Sequence, residues 1–341
     1  MKFGPVPLEE AIGNLLGHNL AGPDGKRLFR KGRPLTSEDV QALRQMGKQS
    51  VYVAELETGD VPEDMAAQRI AEALLTDGLR LSRSAGGRVN LLATRLGVLG
   101  VDAAALRQAN SCEGITLATL PAHAVARPRQ IIATVKVIPY AVPEALLHQV
   151  EAAIVASQPL ISLRELPPKR VGIILSGSSI ARRRLLADFE APLRKRIEAL
   201  GSSAELKEFI SLEDEGDEIA LAGLLQEAAA EGLHLVVLAG ETAIQDRYDL
   251  APRAILYAGG SVECVGVPVD PGNLLMLAYL GEMPVMGAPG CARSLKTNAI
   301  DWVVPRLLAG ERLGFSDLAE LGHGGLLEDT AKRPMPRNRL T

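Results

Sequence analysis

The sequence predicts an α/β protein in which residues 166–315 form a three-layer α/β/α domain with a mainly parallel sheet. Three observations support this prediction. Strand and helix patterns alternate from residue 171 onward, the apolar content comes mainly from Leu, Ala, Val and Ile, and only 3% of the 341 residues are aromatic. Alternating strands and helices form right-handed crossovers, so that helices cover both faces of a parallel sheet.

The elements of this domain follow one another through short connections. The strand VGIILS comes after a linker with a Pro-Pro pair, and the next segment, ARRRLLADFEAPLRKRIEAL, places Leu185, Phe189 and Leu193 on one face. This spacing of four residues predicts a helix that packs on the sheet. The remaining predicted elements are a helix over 217–231, the strand LHLVVLAG, a helix near 250–258, the strands VECVGV, LLMLAYL and PVMGAPG, and a helix over 291–309.

The first half of the chain predicts a mixed α+β region in two parts. Residues 1–60 predict a short helix from Leu8 to Leu16, the capped helix TSEDVQALRQMG and the strand SVYVAEL. Residues 61–165 predict a more elaborate α+β region. Its elements are an amphipathic helix over 62–84, two helix-like stretches at VNLLATRLGVLG and VDAAALRQAN, the strands GITLATL and IIATVKVIPYAV, and the helix PEALLHQVEAAIVAS.

Composition and charge narrow the classes of function. The chain has 37 basic and 41 acidic residues and a formal net charge of -4, so no global field attracts nucleic acid or an anionic membrane. Its three cysteines have no CxxC spacing, which argues against a disulfide framework and a zinc cluster. No apolar run reaches the roughly 18 residues of a membrane span. We expect a soluble, cytoplasmic protein that binds neither nucleic acid nor membranes, with residues 316–341 as a polar tail or linker.

Three strands of the predicted α/β domain end in glycine. Ser176 leads into Gly177, the second strand ends at Gly240, and the third runs into the segment Gly287–Gly290. Ligands of open α/β sheets bind beyond the carboxyl ends of the strands. A glycine there lets backbone N–H groups approach a phosphate, and the N-terminus of a following helix favours negative charge. The alternative is that each glycine is only a turn residue. Together the three loops predict a site for a phosphorylated small molecule.

The second loop, AGETAIQDRYDLAPRAI, adds side chains that suit a metal ion. Its acids are Glu241, Asp246 and Asp249, and Thr242 is a neutral donor. Beside a phosphate, such carboxylates hold Mg²⁺, which offsets the phosphate charge and polarises an oxygen under attack. The alternative for Asp249 is that it caps the helix that begins at LAPRAI. Both roles stay open at this point.

The third loop and a nearby turn offer further contacts. After Gly290, the residues Cys291, Arg293 and Ser294 stand at the predicted start of a helix, where they can contact an anion. Cys291 also raises the hypothesis of a nucleophile, although no histidine is close in sequence, and a packing or ligand-contact role is the favoured interpretation. The turn Pro271–Asn273 is either part of the site or a plain β-turn.

These residues carry a resemblance to a known family. The stretch VDPGNLLMLAYLGEMPVMGAPGCARS resembles the molybdotransferase pattern PGKP...L..LG.KPVFGLPGNPVS, and LAGETAIQDRYDLAPRAI is similar to the glycine-rich loop and acidic helix start of the same family. Residues 170–310 therefore resemble the molybdopterin-binding domain of molybdopterin molybdotransferases and adenylyltransferases. The segment LFRKGRPLTSEDVQALRQMGKQSVYV and residues 86–142 are similar to other parts of molybdotransferase-like proteins, with no catalytic position assigned.

The resemblance implies a ligand, a metal and a set of site residues. The expected fold is the molybdopterin-binding fold, and the expected ligand is molybdopterin or its adenylylated form. The expected metal is Mg²⁺, and the metal-linked catalytic acid is Asp249, or Asp246 on a different placement of the gap. The ligand-binding residues predicted from the loops and the resemblance are Ser176, Gly177, Gly240, Glu241, Thr242, Pro271, Gly272, Asn273, Gly287, Ala288, Pro289, Gly290, Cys291, Arg293 and Ser294. The resemblance also implies molybdate as a further substrate and a homodimer. If the chain is a noncatalytic module, we expect its basic tail to tether a partner such as a cytidylyltransferase.

Departures from the family pattern leave three functions open. The usual second-loop glycine pair is Ala239-Gly240, the family's lysine in PGKP is Asn273, and its Asn-Pro pair is Cys291-Ala292. The first function is a transferase of molybdenum cofactor biosynthesis that inserts molybdate or handles adenylylated molybdopterin. The second is a noncatalytic module that binds and delivers the cofactor. The third is a nucleotide pyrophosphate hydrolase like the competence-damage proteins, although the chain lacks their GGLGPT-like loop.

Overall fold

The computed structural model describes residues 1–22, 24–157, 159–211 and 216–327. The chain has a mixed α/β architecture with several sheets and divides into two compact units. The first unit contains Met1–Arg95 and Leu99–Arg164, and the second contains Leu96–Val98 and Glu165–Thr341. Within the described ranges, every helix is too short or too polar to cross a bilayer.

The first part of unit one is a small antiparallel sheet with one helix. The sheet has the strand order β1-β5-β2, and helix α1 begins with a capping box in which Thr36 and Asp39 bond each other's backbone N–H. The predicted helix from Leu8 to Leu16 is wrong. Leu8–Glu10 is a single 3-10 turn and Leu15–Leu16 is a strand, because Gly13 takes a φ of +85° between them. The elements are β1 (Lys2–Pro7), β2 (Leu15–Leu16), β3 (Leu20–Ala21), β4 (Arg27–Phe29), α1 (Ser37–Gln45) and β5 (Ser50–Glu55).

The rest of unit one contains a four-stranded antiparallel sheet of order β10-β12-β8-β7. The stretch VNLLATRLGVLG, predicted as helix, is two strands. Val89, Leu91 and Ala93 are fully buried and alternate with more exposed neighbours, which is the period of a strand. The helix predicted over 62–84 ends at Ala73. The elements are β6 (Asp60–Pro62), α2 (Glu63–Ala73), β7 (Leu79–Leu81), β8 (Arg88–Ala93), β9 (Gly97–Val101), α3 (Ala103–Ala109), β10 (Ile115–Thr119), β11 (Val125–Ala126), β12 (Ile131–Val137), β13 (Ala141–Pro143), α4 (Glu144–Ala156) and β14 (Ile161–Glu165).

Unit two is built on a six-stranded sheet of order β16-β15-β17-β20-β19-β18. The first four of these strands pair in parallel, whereas β19 is antiparallel to both of its neighbours, so the sheet is mixed. The edge strand β16 is absent from the sequence prediction, because it is largely polar. The elements are β15 (Arg170–Gly177), α5 (Arg182–Leu185), α6 (Ala191–Glu198), β16 (Ser203–Ser211), α7 (Asp217–Ala230), β17 (Leu235–Gly240), α8 (Leu250–Tyr257), β18 (Ser261–Val265), β19 (Met276–Leu280), β20 (Met283–Gly287), α9 (Ala299–Leu308) and α10 (Phe315–Ala319).

Both faces of this sheet are buried. On one face the strands pack against α7 and α8 in a core that includes Ile174, Val236, Met276, Leu225 and Ile255. Alternation along the strands directs a second set of fully buried side chains to the opposite face, namely Ile173, Val237, Leu277 and Met286. Four side chains of the segment between β15 and β16 are also buried, at the spacing that predicted a packed helix, namely Leu185, Phe189, Leu193 and Ile197.

Two predicted segments near the end of unit two differ from the structure. The helix predicted over 291–309 is a four-residue 3-10 turn, Gly290–Arg293, followed by an irregular, bent segment and then α9. Within the segment predicted as a polar tail, helix α10 buries Leu318, and residues 328–341 lie outside the described residues.

Candidate functional site

The predicted loops of unit two meet at one edge of its sheet. Ser176 of β15 lies in register with Gly240 of β17, and Leu238 of β17 lies in register with Gly287 of β20. The N–H of Glu241 donates to the Ser176 carbonyl at 2.9 Å. Because β19 runs antiparallel, its first residue also lies at this edge, next to Gly287. The turn that precedes β19 therefore joins the three strand-end loops.

Two of the glycines allow the first and second loops to touch. A Cβ atom at position 177 would lie 2.7 Å from Leu185 Cδ1 and 2.9 Å from Glu241 Cβ, and one at position 240 would lie 2.7 Å from Ser176 Oγ. Larger side chains are excluded by these neighbours. Packing between loops is thus a sufficient reason for both glycines.

Glu241 connects the second loop to the first. Its carboxylate accepts hydrogen bonds from the Ser178 backbone N–H at 2.9 Å and hydroxyl at 2.7 Å, and from Arg184 at 3.2 Å. The Ser178 backbone and hydroxyl donors, with the nearby Arg184 charge, lower the pKa of Glu241. Three donors from α5 and the loop before it therefore define a position for an anion. Sequence reasoning missed Ser178 and Arg184, although a serine directly after a strand-end glycine is a usable signal.

The acids of the second loop are engaged with the backbone around them. Asp249 accepts N–H bonds from Leu250 at 2.9 Å and Gln245 at 3.1 Å, which confirms that it caps α8. Asp246 accepts the N–H of Tyr248 at 2.8 Å and is exposed, as is Thr242. The two aspartates stand in one turn, since the Asp249 N–H donates to the Asp246 carbonyl at 3.2 Å.

The same turn has few ligands for a metal ion. Among the residues that the structure describes, no group of three or more His, Cys, Asp or Glu side chains is placed to hold one. Mg²⁺ commonly takes only one or two carboxylates and completes its shell with water and substrate phosphates. Asp246 and Asp249 fit that type of ion only together with a phosphorylated ligand.

Arg196 of α6 organises the third loop. Its side chain is 7% exposed and its Nε donates to Asp301 at 3.0 Å. The guanidinium also donates to the carbonyls of Ala292 at 3.2 Å, of Lys296 at 3.0 Å and of Ser294. One buried cation therefore ties the segment between β20 and α9 to α6.

In the third loop, the side chains that were predicted to contact an anion make contacts within the protein. Arg293 lies over the Phe189 ring at 4.7 Å and faces Asp188 at 4.0 Å. The hydroxyl of Ser294 accepts the Lys296 N–H at 3.2 Å. Burial raises the pKa of the Cys291 thiol, which disfavours the thiolate that a nucleophile requires.

The backbone of this loop is partly open. Ala288 and Pro289 are buried, and the Ala288 N–H donates to the Leu238 carbonyl at 2.7 Å. Gly290 is exposed, with no atom within 4 Å of the place where a Cβ would lie. A Cβ on Gly287 would lie 2.5 Å from Ile244 Cδ1, so the second loop closes over the third.

The turn before β19 packs on the start of α9. Gly272 has a φ of +130°, and a Cβ there would lie 2.6 Å from the Ala299 backbone nitrogen. The Ala299 N–H donates to the Pro271 carbonyl at 3.2 Å, and the Asn273 carbonyl accepts the Val267 N–H at 2.9 Å. This turn holds the edge of the site in place through its backbone.

Comparison with known proteins gives one family match, to a part of the first unit. Residues 5–55 match the model of a family described as a domain of unknown function, DUF8806. This region contains the small antiparallel sheet and α1. A search of curated proteins finds no match.

Solved structures of distant proteins align with most of the chain. A molybdenum cofactor biosynthesis protein from Pyrococcus furiosus is 13% identical with a TM-score of 0.26, over 94% of this chain and 65% of its own length. Two molybdopterin biosynthesis moeA proteins, from Pyrococcus horikosii and Pyrococcus horikoshii OT3, are 14% and 11% identical, with TM-scores of 0.31 and 0.27. They align over 94% and 91% of this chain and 77% and 74% of theirs. The chain thus spans slightly under two thirds of the length of the first structure.

Proposed function

We propose that unit two binds molybdopterin, in molybdenum cofactor biosynthesis, at the edge where β15, β17 and β20 end. One observation carries the proposal: the loops after these strands and the turn before β19 lie side by side in the tertiary structure. Three of these four segments, all except the loop after β15, have sequences that resemble the molybdopterin-binding family. A binding site at the carboxyl ends of parallel strands is also the general expectation for open α/β sheets.

The anion position between the first two loops supports a phosphorylated ligand. The Ser178 N–H and hydroxyl and the Arg184 guanidinium now hold the Glu241 carboxylate. Charge-assisted bonds of this kind suit phosphate oxygens equally well. We infer that a pterin phosphate shares these donors or takes them over from Glu241.

The proposal has two versions, which differ in whether the chain catalyses a reaction on the bound ligand. In the enzymatic version, Asp246 and Asp249 hold Mg²⁺ against the bound phosphate, and the ion supplies charge neutralisation and polarisation. In the noncatalytic version, the domain binds and delivers the cofactor. The second version is favoured by the backbone N–H bonds that already occupy both Asp249 oxygens. The homodimer remains a proposal from the resemblance, and the cytidylyltransferase partner remains a proposal that belongs to the noncatalytic version.

The experiment measures binding and product formation with the full-length chain. Purified protein is mixed with molybdopterin or adenylylated molybdopterin, with ATP, molybdate and Mg²⁺ present or omitted. In the enzymatic version, Asp249→Asn keeps the bond from the Leu250 N–H that caps α8 and loses the bond from the Gln245 N–H, and it lowers product formation by roughly tenfold or more while pterin affinity is kept. The matched control is Asp102→Asn, which makes the same change at the cap of α3.

Each outcome decides between the versions. If neither pterin binds to the wild-type protein, the proposed function is wrong. Binding with no product at any Mg²⁺ concentration selects the delivery module. Equal product from wild type and Asp249→Asn rejects the metal role of that aspartate.

A further inference from the structure

Unit one contains a cavity of about 1010 Å³ that the proposed function does not use. It is formed within this unit, between the small sheet of the first 60 residues and the second part of the unit. Its volume is at the upper end of the range for sites that hold drug-sized ligands. Residues from both parts carry its chemistry, namely Phe3, Arg30, Lys31, Glu63, Lys136 and Tyr140.

One wall of the cavity is aromatic. The rings of Phe3 and Tyr140 are stacked with centroids 6.4 Å apart and planes 30° apart, and His18 meets Phe3 edge-on at 5.5 Å. The Tyr140 hydroxyl donates to the Gly17 carbonyl at 2.8 Å, which fixes that ring. Phe3 is 47% exposed although it is apolar. A solvent-facing aromatic surface of this kind favours the binding of a planar ring by its face or edge.

Most acidic groups around the cavity are already engaged. Asp64 accepts the Gly87 N–H at 2.7 Å and the Ser84 hydroxyl at 3.0 Å. Glu63 faces Lys136 at 3.5 Å. Burial raises the pKa of Glu63, so its carboxyl group loses its negative charge more readily than an exposed one. Lys136 offsets the charge of Glu63, whereas Asp64 keeps its negative charge because its donors are neutral.

Two basic residues at the rim of the cavity are available to contact a ligand. Arg30 and Lys31 are adjacent and exposed at the rim, and within the described part of the chain neither side chain has a hydrogen-bond or ion-pair partner. The exposed Glu113 offers one opposing charge at the cavity. Arg30 and Lys31 therefore place two adjacent positive charges at the rim beside the aromatic wall, while Asp64 and Glu113 balance them over the cavity as a whole. Arginine and lysine side chains in this setting bind phosphate or carboxylate groups.

We propose that this cavity binds a planar aromatic anion of nucleotide size, with its ring on Phe3 and Tyr140 and its anionic group on Arg30 and Lys31. The proposal is independent of pterin binding by unit two, because every residue it uses belongs to unit one. The ligand must contain both a ring and an anionic group. An uncharged ring does not use Arg30 and Lys31, and an inorganic anion does not use the aromatic wall.

The test is calorimetric titration of the full-length chain with AMP, GMP, CMP and UMP, and with adenosine and inorganic phosphate as half-ligands. At least one nucleotide should bind with a dissociation constant below about 1 mM, and each half-ligand should bind at least about tenfold more weakly. Lys31→Glu should weaken nucleotide binding by about tenfold or more. Lys48→Glu is the matched control, since Lys48 is exposed in the same unit and does not line the cavity, and it should change the affinity by less than about twofold.

A second variant tests the aromatic contact of the ligand separately from its contact with the basic residues. Phe3→Leu should weaken nucleotide binding and leave the affinity for inorganic phosphate unchanged, because it removes only the aromatic contact. Circular dichroism of each variant checks that it is folded. The proposal is overturned if no nucleotide binds to the wild-type chain, or if a bound nucleotide is insensitive to Lys31→Glu in a folded variant.

Discussion

At the scale of single residues, the feature that most shapes the candidate site is a buried cation outside the predicted set. Arg196 lies among apolar residues of α6, where a charge is expensive to bury unless it is fully paired. Its partners are Asp301 and three carbonyls of the third loop. The conformation of the third loop therefore depends on a residue of α6, which lies outside that loop.

Replacing this arginine tests that role. Arg196→Met removes the cation and leaves Asp301 and three carbonyls without their donor, so the free energy of unfolding should fall by about 3–5 kcal/mol. Arg196→Lys keeps the charge with fewer donors and should give an intermediate loss. The control is Lys195→Met on the exposed side of α6, with a change within about 0.5 kcal/mol. Urea denaturation measures all three, and equal stabilities of Arg196→Met and Lys195→Met would refute the assignment.

At the scale of elements, local signals predicted helices well where a capping residue and an apolar face coincide. Helix α1 has both and was predicted correctly. The segment Val89–Ala93 has Leu and Ala, which are strong helix formers, but its burial follows the period of two. Its neighbours in the antiparallel sheet decide the outcome, because they offer a pleated surface to pack against.

Helix α9 depends on a cap that is itself buried. The Asn298 side chain accepts the Ile300 N–H at 3.0 Å and donates to the Lys296 carbonyl at 3.1 Å, and the residue is 1% exposed. Asn298→Ala should lower the free energy of unfolding by about 1–2 kcal/mol, because water cannot replace the lost bonds. Asn298→Ser keeps an oxygen acceptor and should recover part of the loss. Thermal unfolding of both variants measures this, and an Ala variant as stable as wild type would exclude the capping role.

At the scale of the whole molecule, paired carboxylates set the response to acid. Hydrogen bonds from Arg69 and Lys207 are the largest causes that lower the pKa values of Glu144 and Glu231. Such groups bind fewer protons in the folded chain than in the unfolded chain. Their stabilisation is present above the unfolded pKa and is lost as the pH falls through the folded pKa. Glu63, whose pKa burial raises, acts in the opposite direction.

Lowered carboxyl pKa values outnumber raised ones in the described part of the chain. The lowered groups are Glu9, Asp39, Glu57, Asp60, Asp77, Glu144, Glu218, Glu231 and Glu241. The midpoint of thermal unfolding should therefore fall steadily as the pH is lowered below about 4.5, where unfolded carboxylates begin to take up protons. Scanning calorimetry over this range measures it, and a midpoint that stays constant or rises would contradict the prediction.

The sequence alone predicted that the second half alternates strands and helices and that three of its strands end in glycine, and it offered the capping of a helix as one of two open roles for Asp249. Each of these depends on residues close together in the chain. The tertiary structure alone decided that Ser178 and Arg184 hold Glu241, that Arg196 shapes the third loop, and that a cavity lies between Phe3 and Lys136. These contacts join residues 57–133 positions apart, so they depend on how the sheets are ordered, and local pattern and propensity carry no information about that order.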